Sequence, residues 1–152
     1  MSLKNYVKAV GCLSPRATVV EASQAMKSKG IGTVVVISDD YKPIGLLTDR
    51  DIIMRVVAEQ KSCETTAIEE AMTSGVVSLP EDSSIQAATE TMRDKGVRRI
   101  PIVDENDRVT GIVTFDDLLL LLGMEVGNLA SAIMTGLSRF PEMEAGASPK
   151  AT

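Results

Sequence analysis

A single offset of 66 positions lays one half of this chain on the other without a gap from Leu13 to about Ile53. Met26 falls on Met92, Lys29 on Lys95, Gly30 on Gly96, Gly45 on Gly111, Thr48 on Thr114 and Asp51 on Asp117. A repeat at this scale limits the fold more than any single motif, because both copies must adopt one local structure and bury one kind of face. A unit of roughly 60 residues buries too small a fraction of its surface to be secure alone. Two copies sharing one core are therefore expected, rather than two independent domains.

Each copy reads alike. An apolar stub comes first, AVGCL at 9–13 and GVVSL at 75–79. A turn leads to a helix with apolar residues at helical spacing: Val19, Ala22 and Met26 in one copy, Ile85, Ala88 and Met92 in the other. Thr18 with Glu21, and Ser83 with Gln86, have capping-box spacing. Both helices are expected to stop at Lys-Gly, where glycine accepts the left-handed conformation. The short β-branched runs TVVVI and RIPIV predict buried strands, each followed by a polar turn and a second strand. The order is β-α-β-β-α, twice.

The fold class expected is thus α+β, with two repeats related by a pseudo-two-fold and packed through their sheets. The boundaries are 6–62 for the first repeat and 67–123 for the second, joined by a short polar link. A helical extension follows at 124–139, and a tail rich in small residues and proline, expected to be disordered, at 140–152.

Composition removes several functions. The net charge is −5 and only 3% of residues are aromatic, with no Trp. A general nucleic-acid partner needs a basic footprint or a stacking platform, and neither is present. The 152 residues include no histidine, the commonest general base and zinc ligand. Cys12 and Cys63 are far apart, so no disulfide framework is indicated and a cytoplasmic setting is expected. The run from Leu118 to Leu122 is too short to span a bilayer, so no membrane is expected. No P-loop or nucleophile-elbow glycine pattern occurs, and we expect no enzyme, no catalytic residue and no metal site.

The phrase that ends each copy carries the chemistry: GLLTDRD at 45–51 and GIVTFDD at 111–117. One reading is purely structural, since Thr-x-x-Asp caps a helix and places a carboxylate near its positive end. The other is functional. A carboxylate at a strand-to-helix corner accepts hydrogen bonds from ribose hydroxyls, as acidic residues do in dinucleotide folds. A phosphate tail would then need cations. Arg98 and Arg99 stand just before the apolar strand of the second copy, where the first has Gly32 and Thr33, and guanidinium forks suit phosphate. Arg50 is a further candidate, and its counterpart Asp116 would repel phosphate.

The runs KGIGTVVVISDD…GLLTDRDI and GVRRIPIVDE…GIVTFDDLL, in tandem β-α-β-β-α units, resemble a pair of cystathionine β-synthase (CBS) domains, the Bateman module, over about residues 6–123. Ala71-Met72-Thr73 also fits that pattern. The resemblance implies a regulatory module that binds an adenosyl ligand (AMP, ADP, ATP or S-adenosylmethionine) between the sheets, with no catalytic cofactor. It implies a favoured site of Thr48, Asp51, Val97, Arg98 and Arg99, to which the reading of the residues adds Arg50, and a weaker one of Ile31, Gly32, Thr33, Thr114 and Asp117. Ile44, Leu46, Val77 and Ile112 would line the adenine or belong to the core. The first copy has Val35 where the second has Pro101, and its stub lacks the methionine-threonine lead-in. Modules of this family pair through their helices, so a homodimer using the repeat helices and the leucine-rich C-terminal segment is expected. The alternative is a ligand-free oligomerising scaffold.

Overall fold

The computed structural model describes residues 2–137. The expected disordered tail, with the last two positions of the expected helical extension, lies outside them. The chain divides into two units, Met1–Leu118 and Leu119–Thr152.

In the first unit the repeat is realised as two β-α-β-β-α passes. The first comprises β1 (Gly11–Leu13), α1 (Val19–Lys29), β2 (Thr33–Ile37), β3 (Pro43–Thr48) and α2 (Asp49–Ile52), which runs on into a π-helical turn, Ile53–Val57. After α3 (Ile68–Ala71) and β4 (Thr73–Ser74) come β5 (Leu79–Pro80), α4 (Ile85–Lys95), β6 (Arg99–Val103), β7 (Val109–Thr114) and the start of α5 (Phe115–Leu137).

One sheet has the order β1-β2-β3-β4 and the other β5-β6-β7. In each, the stub strand runs parallel to the central strand and the hairpin is antiparallel. The edges are exchanged. β4 belongs to the lead-in of the second repeat, yet it pairs with β3 of the first. Lys8, in the lead-in of the first repeat, bridges to Ile112 on β7 of the second. The Lys8 N–H donates to the Ile112 carbonyl and the Ile112 N–H to the Lys8 carbonyl, both at 3.0 Å.

This exchange explains the glycine in the repeated phrase. A Cβ on Gly45 would lie 2.5 Å from Met72 Sδ and 3.0 Å from the Thr73 carbonyl oxygen. A Cβ on Gly111 would lie 2.5 Å from the Lys8 carbonyl oxygen. In each sheet the incoming strand occupies the space a side chain would need. The register also shows that the sequence offset slips here. Thr73 faces Leu46, and Lys8 faces Ile112, the repeat mate of Leu46. Lys8 is therefore the spatial counterpart of Thr73, one residue off the alignment that holds elsewhere.

Each sheet backs onto its own helices. Val19, Ala22, Met26, Val34, Val36, Leu47 and Ile52 form one buried cluster with Val56, Ile68 and Ala71. Their repeat mates Ile85, Ala88, Met92, Ile100, Ile102, Val113 and Leu118 are buried too. Neighbouring strand residues point to opposite faces, and Val35 and Pro101, between these core positions, are also fully buried. The central strands are thus covered on both sides, as packing through the sheets requires.

The helix ends follow their caps. Thr18 Oγ1 accepts from the Glu21 N–H at 3.3 Å and the Glu21 carboxylate accepts from the Thr18 N–H at 2.7 Å. Gly30 and Gly96 close α1 and α4 with φ of 62° and 63°. The expected Ser83–Gln86 box is corrected. The Ser83 N–H is used in a turn onto the Pro80 carbonyl, and the N-cap is Ser84, accepting from the Ala87 N–H at 3.0 Å. Position N3 is then Ala87, which has nothing to return, and the Gln86 amide bonds Glu90 instead.

In the second unit α5 continues with Leu119, Leu120, Leu122, Met124, Val126, Leu129, Ile133 and Met134 all exposed. The stretch Phe115–Gly136 is long and apolar enough to cross a membrane by length and composition. The expectation from the Leu118 to Leu122 run is corrected on this point: Glu125 is the one charge from Leu118 to Gly136, and small residues carry the apolar character onward.

Gly111→Ala should lower the unfolding free energy by about 1–3 kcal/mol, since overpacking must push the lead-in away. Gly123→Ala, with open space at its Cβ, should be neutral or stabilising by up to about 1 kcal/mol. Urea unfolding of the two variants checks this; equal stability of Gly111→Ala and wild type would remove the edge exchange.

Candidate functional site

Two clefts open in the first unit, each combining the strand-to-helix corner of one repeat with the loop entering the central strand of the other. The first, of about 350 Å³, is lined by Leu46, Thr48 and Asp51, by Val97, Arg98 and Arg99, by the lead-in from Thr73 to Val77, and by Lys95. The second, of about 290 Å³, is lined by Ile112, Thr114, Asp116 and Asp117, by Ile31, Gly32 and Thr33, by Lys8, Ala9 and Val10, and by Arg99. The first volume lies at the small end for ligand sites.

The loops are held by matching backbone bonds. The Asp49 N–H donates to the Gly32 carbonyl at 3.0 Å and the Phe115 N–H to the Arg98 carbonyl at 2.8 Å. The first residue of each corner helix thereby anchors the loop before its own central strand.

The corner residues serve both readings of the phrase. Thr48 Oγ1 accepts from the Asp51 N–H at 3.1 Å, and the Asp51 carboxylate accepts from the Thr48 N–H at 3.0 Å. That is a capping box, yet Thr48 and Asp51 also face the cleft. The remaining Asp51 oxygen lies 3.7 Å from Arg55. Arg55 is committed elsewhere, donating to the Ala71 carbonyl at 2.8 Å and Thr73 Oγ1 at 3.3 Å.

At the other corner the Asp117 N–H donates to Thr114 Oγ1 at 3.2 Å, and the Thr114 hydroxyl donates to the carboxylate at 2.7 Å. The second carboxylate oxygen pairs directly with the Lys8 ammonium. Burial alone would push the Asp117 carboxyl up, but the hydrogen bonds from Lys8 and Thr114 and the Lys8 charge outweigh it and hold it below its ordinary value.

The clefts differ in charge. Lys95, Arg98 and Arg99 face Asp51 in the first, whereas Lys8 and Arg99 face Asp116 and Asp117 in the second. Arg98 is steadied by Asp116 at 3.0 Å and lies 5.0 Å over the Phe115 ring.

Of the residues singled out from sequence, Thr48, Asp51, Val97, Arg98 and Arg99 meet in the first cleft and Ile31, Gly32, Thr33, Thr114 and Asp117 in the second. Arg50 is not among the lining residues of the first. It is the helical neighbour of Asp51, and adjacent positions on a helix do not share a face. Leu46 and Val77 line the first cleft and Ile112 the second, while Ile44 packs on the core cluster. Sequence reasoning missed Lys8, Lys95 and the lead-ins apart from Val77. Lys95 had a signal, its place in the Lys-Gly helix end; Lys8 had none, because the repeat alignment slips at that point. Among the described residues no group of His, Cys, Asp or Glu is arranged to hold a metal ion.

Two exchanged β-α-β-β-α repeats with paired clefts define a tandem-repeat fold, and the CBS domain description matches the chain twice, at residues 4–58 and 68–123. The chain belongs to the CBS domain family. It is 40% identical over 106 residues to protein MK0525 of Methanopyrus kandleri, covering 70% of this chain and 54% of that relative, so it spans about half that protein's length. It is 33% identical over 129 residues to YlbB of Bacillus subtilis, covering 84% of each. Among solved structures, the CBS domain pair of protein MJ0100, in complex with 5′-methylthioadenosine and S-adenosyl-L-methionine, is similar with a TM-score of 0.72 at 26% identity, covering 82% of this chain and 98% of that one.

Asp117→Asn should cost up to about 1 kcal/mol of stability at pH 7, the range for a partly exposed ion pair. A depressed carboxyl contributes stability above its unfolded pKa of about 3.9 and loses it as pH falls through the folded value. The gap between variant and wild type should therefore shrink from pH 5 toward pH 3 in thermal melts. A gap independent of pH would contradict the pairing.

Proposed function

We propose that this chain is a regulatory module that holds an adenosyl nucleotide in the Asp51 cleft. Cytoplasmic and without catalysis of its own, it passes occupancy to whatever it is joined to or bound by. The observation that carries this reading is the make-up of that cleft: a Thr and a carboxylate from one repeat face three cations of the other across about 350 Å³. The ribose hydroxyls donate to Asp51, Leu46 and Val77 flank the base, and Arg98, Arg99 and Lys95 take the phosphate. AMP, ADP and ATP fit this charge pattern, and S-adenosylmethionine fits the sugar site. The similarity to MJ0100 supports an adenosyl ligand. A ligand shifts the relation of the repeats or of two protomers only by binding one arrangement better.

Calorimetry with the four ligands tests this. Asp51→Ala and Arg98→Ala should each weaken binding about tenfold, the loss of one charge-assisted hydrogen bond, and Asp117→Ala should weaken it less. Equal losses would refute the site assignment. No heat with any of them leaves the ligand-free scaffold.

The same reading includes a homodimer. Ile53, Met54 and Val57 are exposed in the first unit, and Leu119, Leu120, Ile133 and Met134 in the second. Exposed apolar side chains of this kind, taken in each unit by itself, mark an interaction face. Leu120→Asp with Ile133→Asp should convert a dimer to a monomer in light scattering. A monomeric wild type, or one that sediments with phospholipid vesicles, would contradict a soluble dimer and favour a bilayer partner for α5.

A further inference from the structure

Resting on the adenosyl reading, the geometry points to Lys8 as the residue that closes the Asp117 cleft to a ribose, so that one chain holds one nucleotide. The two clefts share their design but not their counter-ions. In the first, Thr73 stands on the exchanged edge strand, and the cation nearest Asp51 is Arg55 at 3.7 Å. Arg55 lies outside the lining of that cleft and is bonded to Ala71 and Thr73. One Asp51 oxygen thus remains open to a hydroxyl donor. In the second, the register puts Lys8 where Thr73 stands. Lys8 lines the cleft itself and pairs directly with Asp117, while the Thr114 hydroxyl takes the other oxygen. Each Asp117 oxygen thus already accepts from a donor of the protein, whereas only one Asp51 oxygen does.

The pair is well placed to persist. Two backbone hydrogen bonds at 3.0 Å fix Lys8 to Ile112. Further up the same segment Leu3 is fully buried and its N–H donates to the Ser83 carbonyl at 2.8 Å. The Asp117 side chain is 19% exposed and that of Lys8 65%, so the ion pair is shielded from solvent on the carboxylate side only. A second handicap adds to the first. Arg99 lines both clefts, and its repeat mate in the first copy is the uncharged Thr33. Two anionic tails would compete for one guanidinium, and the first cleft adds Lys95 and Arg98 to its claim.

The experiment is calorimetric stoichiometry with AMP on the full chain, comparing wild type, Lys8→Thr, Asp117→Asn and Lys8→Thr with Asp117→Asn. Lys8→Thr installs the residue that occupies the matching place in the first cleft and keeps the backbone bridge. Wild type should bind one AMP, and Asp117→Asn should still bind one, weakened less than by Asp51→Ala. Lys8→Thr should reveal a second site strengthened about fivefold or more, the scale of one partly shielded ion pair, and the double variant should lose it again. Two sites in wild type with one removed by Asp117→Asn, or one site in Lys8→Thr, overturns the inference and leaves the adenosyl reading standing. No binding by any of the four overturns both. Melting curves show whether each variant is folded.

Discussion

Everything in the first unit depends on the exchange of edge strands between the repeats. β4 is contributed to the first sheet by the lead-in of the second repeat, and Lys8 to the second sheet by the lead-in of the first. Two short segments satisfy edge backbone groups that would otherwise need water or another chain. They also tie each half to its twin. Half a module of this size buries too little to stand alone, and the exchange makes the shared core a covalent and hydrogen-bonded necessity. Gly45 and Gly111 are the residues that let the incoming strands approach.

The clefts are consequences of that exchange. Once the lead-ins cross over, the corner at Thr48 and Asp51 meets the loop at 97–99, and the corner at Thr114 and Asp117 meets the loop at 31–33. Symmetry supplies the shape, and departures from symmetry supply the chemistry. Arg98 and Arg99 stand against Gly32 and Thr33, Asp116 against Arg50, and Lys8 against Thr73. One cleft gathers positive charge around a single carboxylate; in the other Lys8 pairs with Asp117, and Asp116 reaches Arg98 of the first. Capping and ligand binding do not compete at Asp51, because the capping bond occupies one carboxylate oxygen and the other lies at the looser distance from Arg55.

Much of this was legible in the sequence, for identifiable reasons. The α+β repeat order, the buried central strands and the left-handed glycines at positions 30 and 96 follow from local periodicity and local backbone chemistry, which short windows carry. The pairing of each corner with the opposite loop came from family resemblance, since spacing alone cannot say which segments meet. The N-cap of α4 was misplaced by one residue because Ser83 and Ser84 are equally good caps, and a turn onto Pro80 decides between them. Lys8 was invisible because it acts across 109 positions of sequence, at the point where the repeat register slips. The C-terminal helix was underestimated because a search for unbroken apolar runs overlooks a helix whose small residues keep it apolar on average.

The most direct test of the central claim is a crystal structure of the full chain grown with AMP. The account predicts density for one nucleotide per chain, its ribose against Thr48 and Asp51 and its phosphate among Lys95, Arg98 and Arg99. Density on an outer surface of the molecule, or an empty first cleft at saturating AMP, would contradict it.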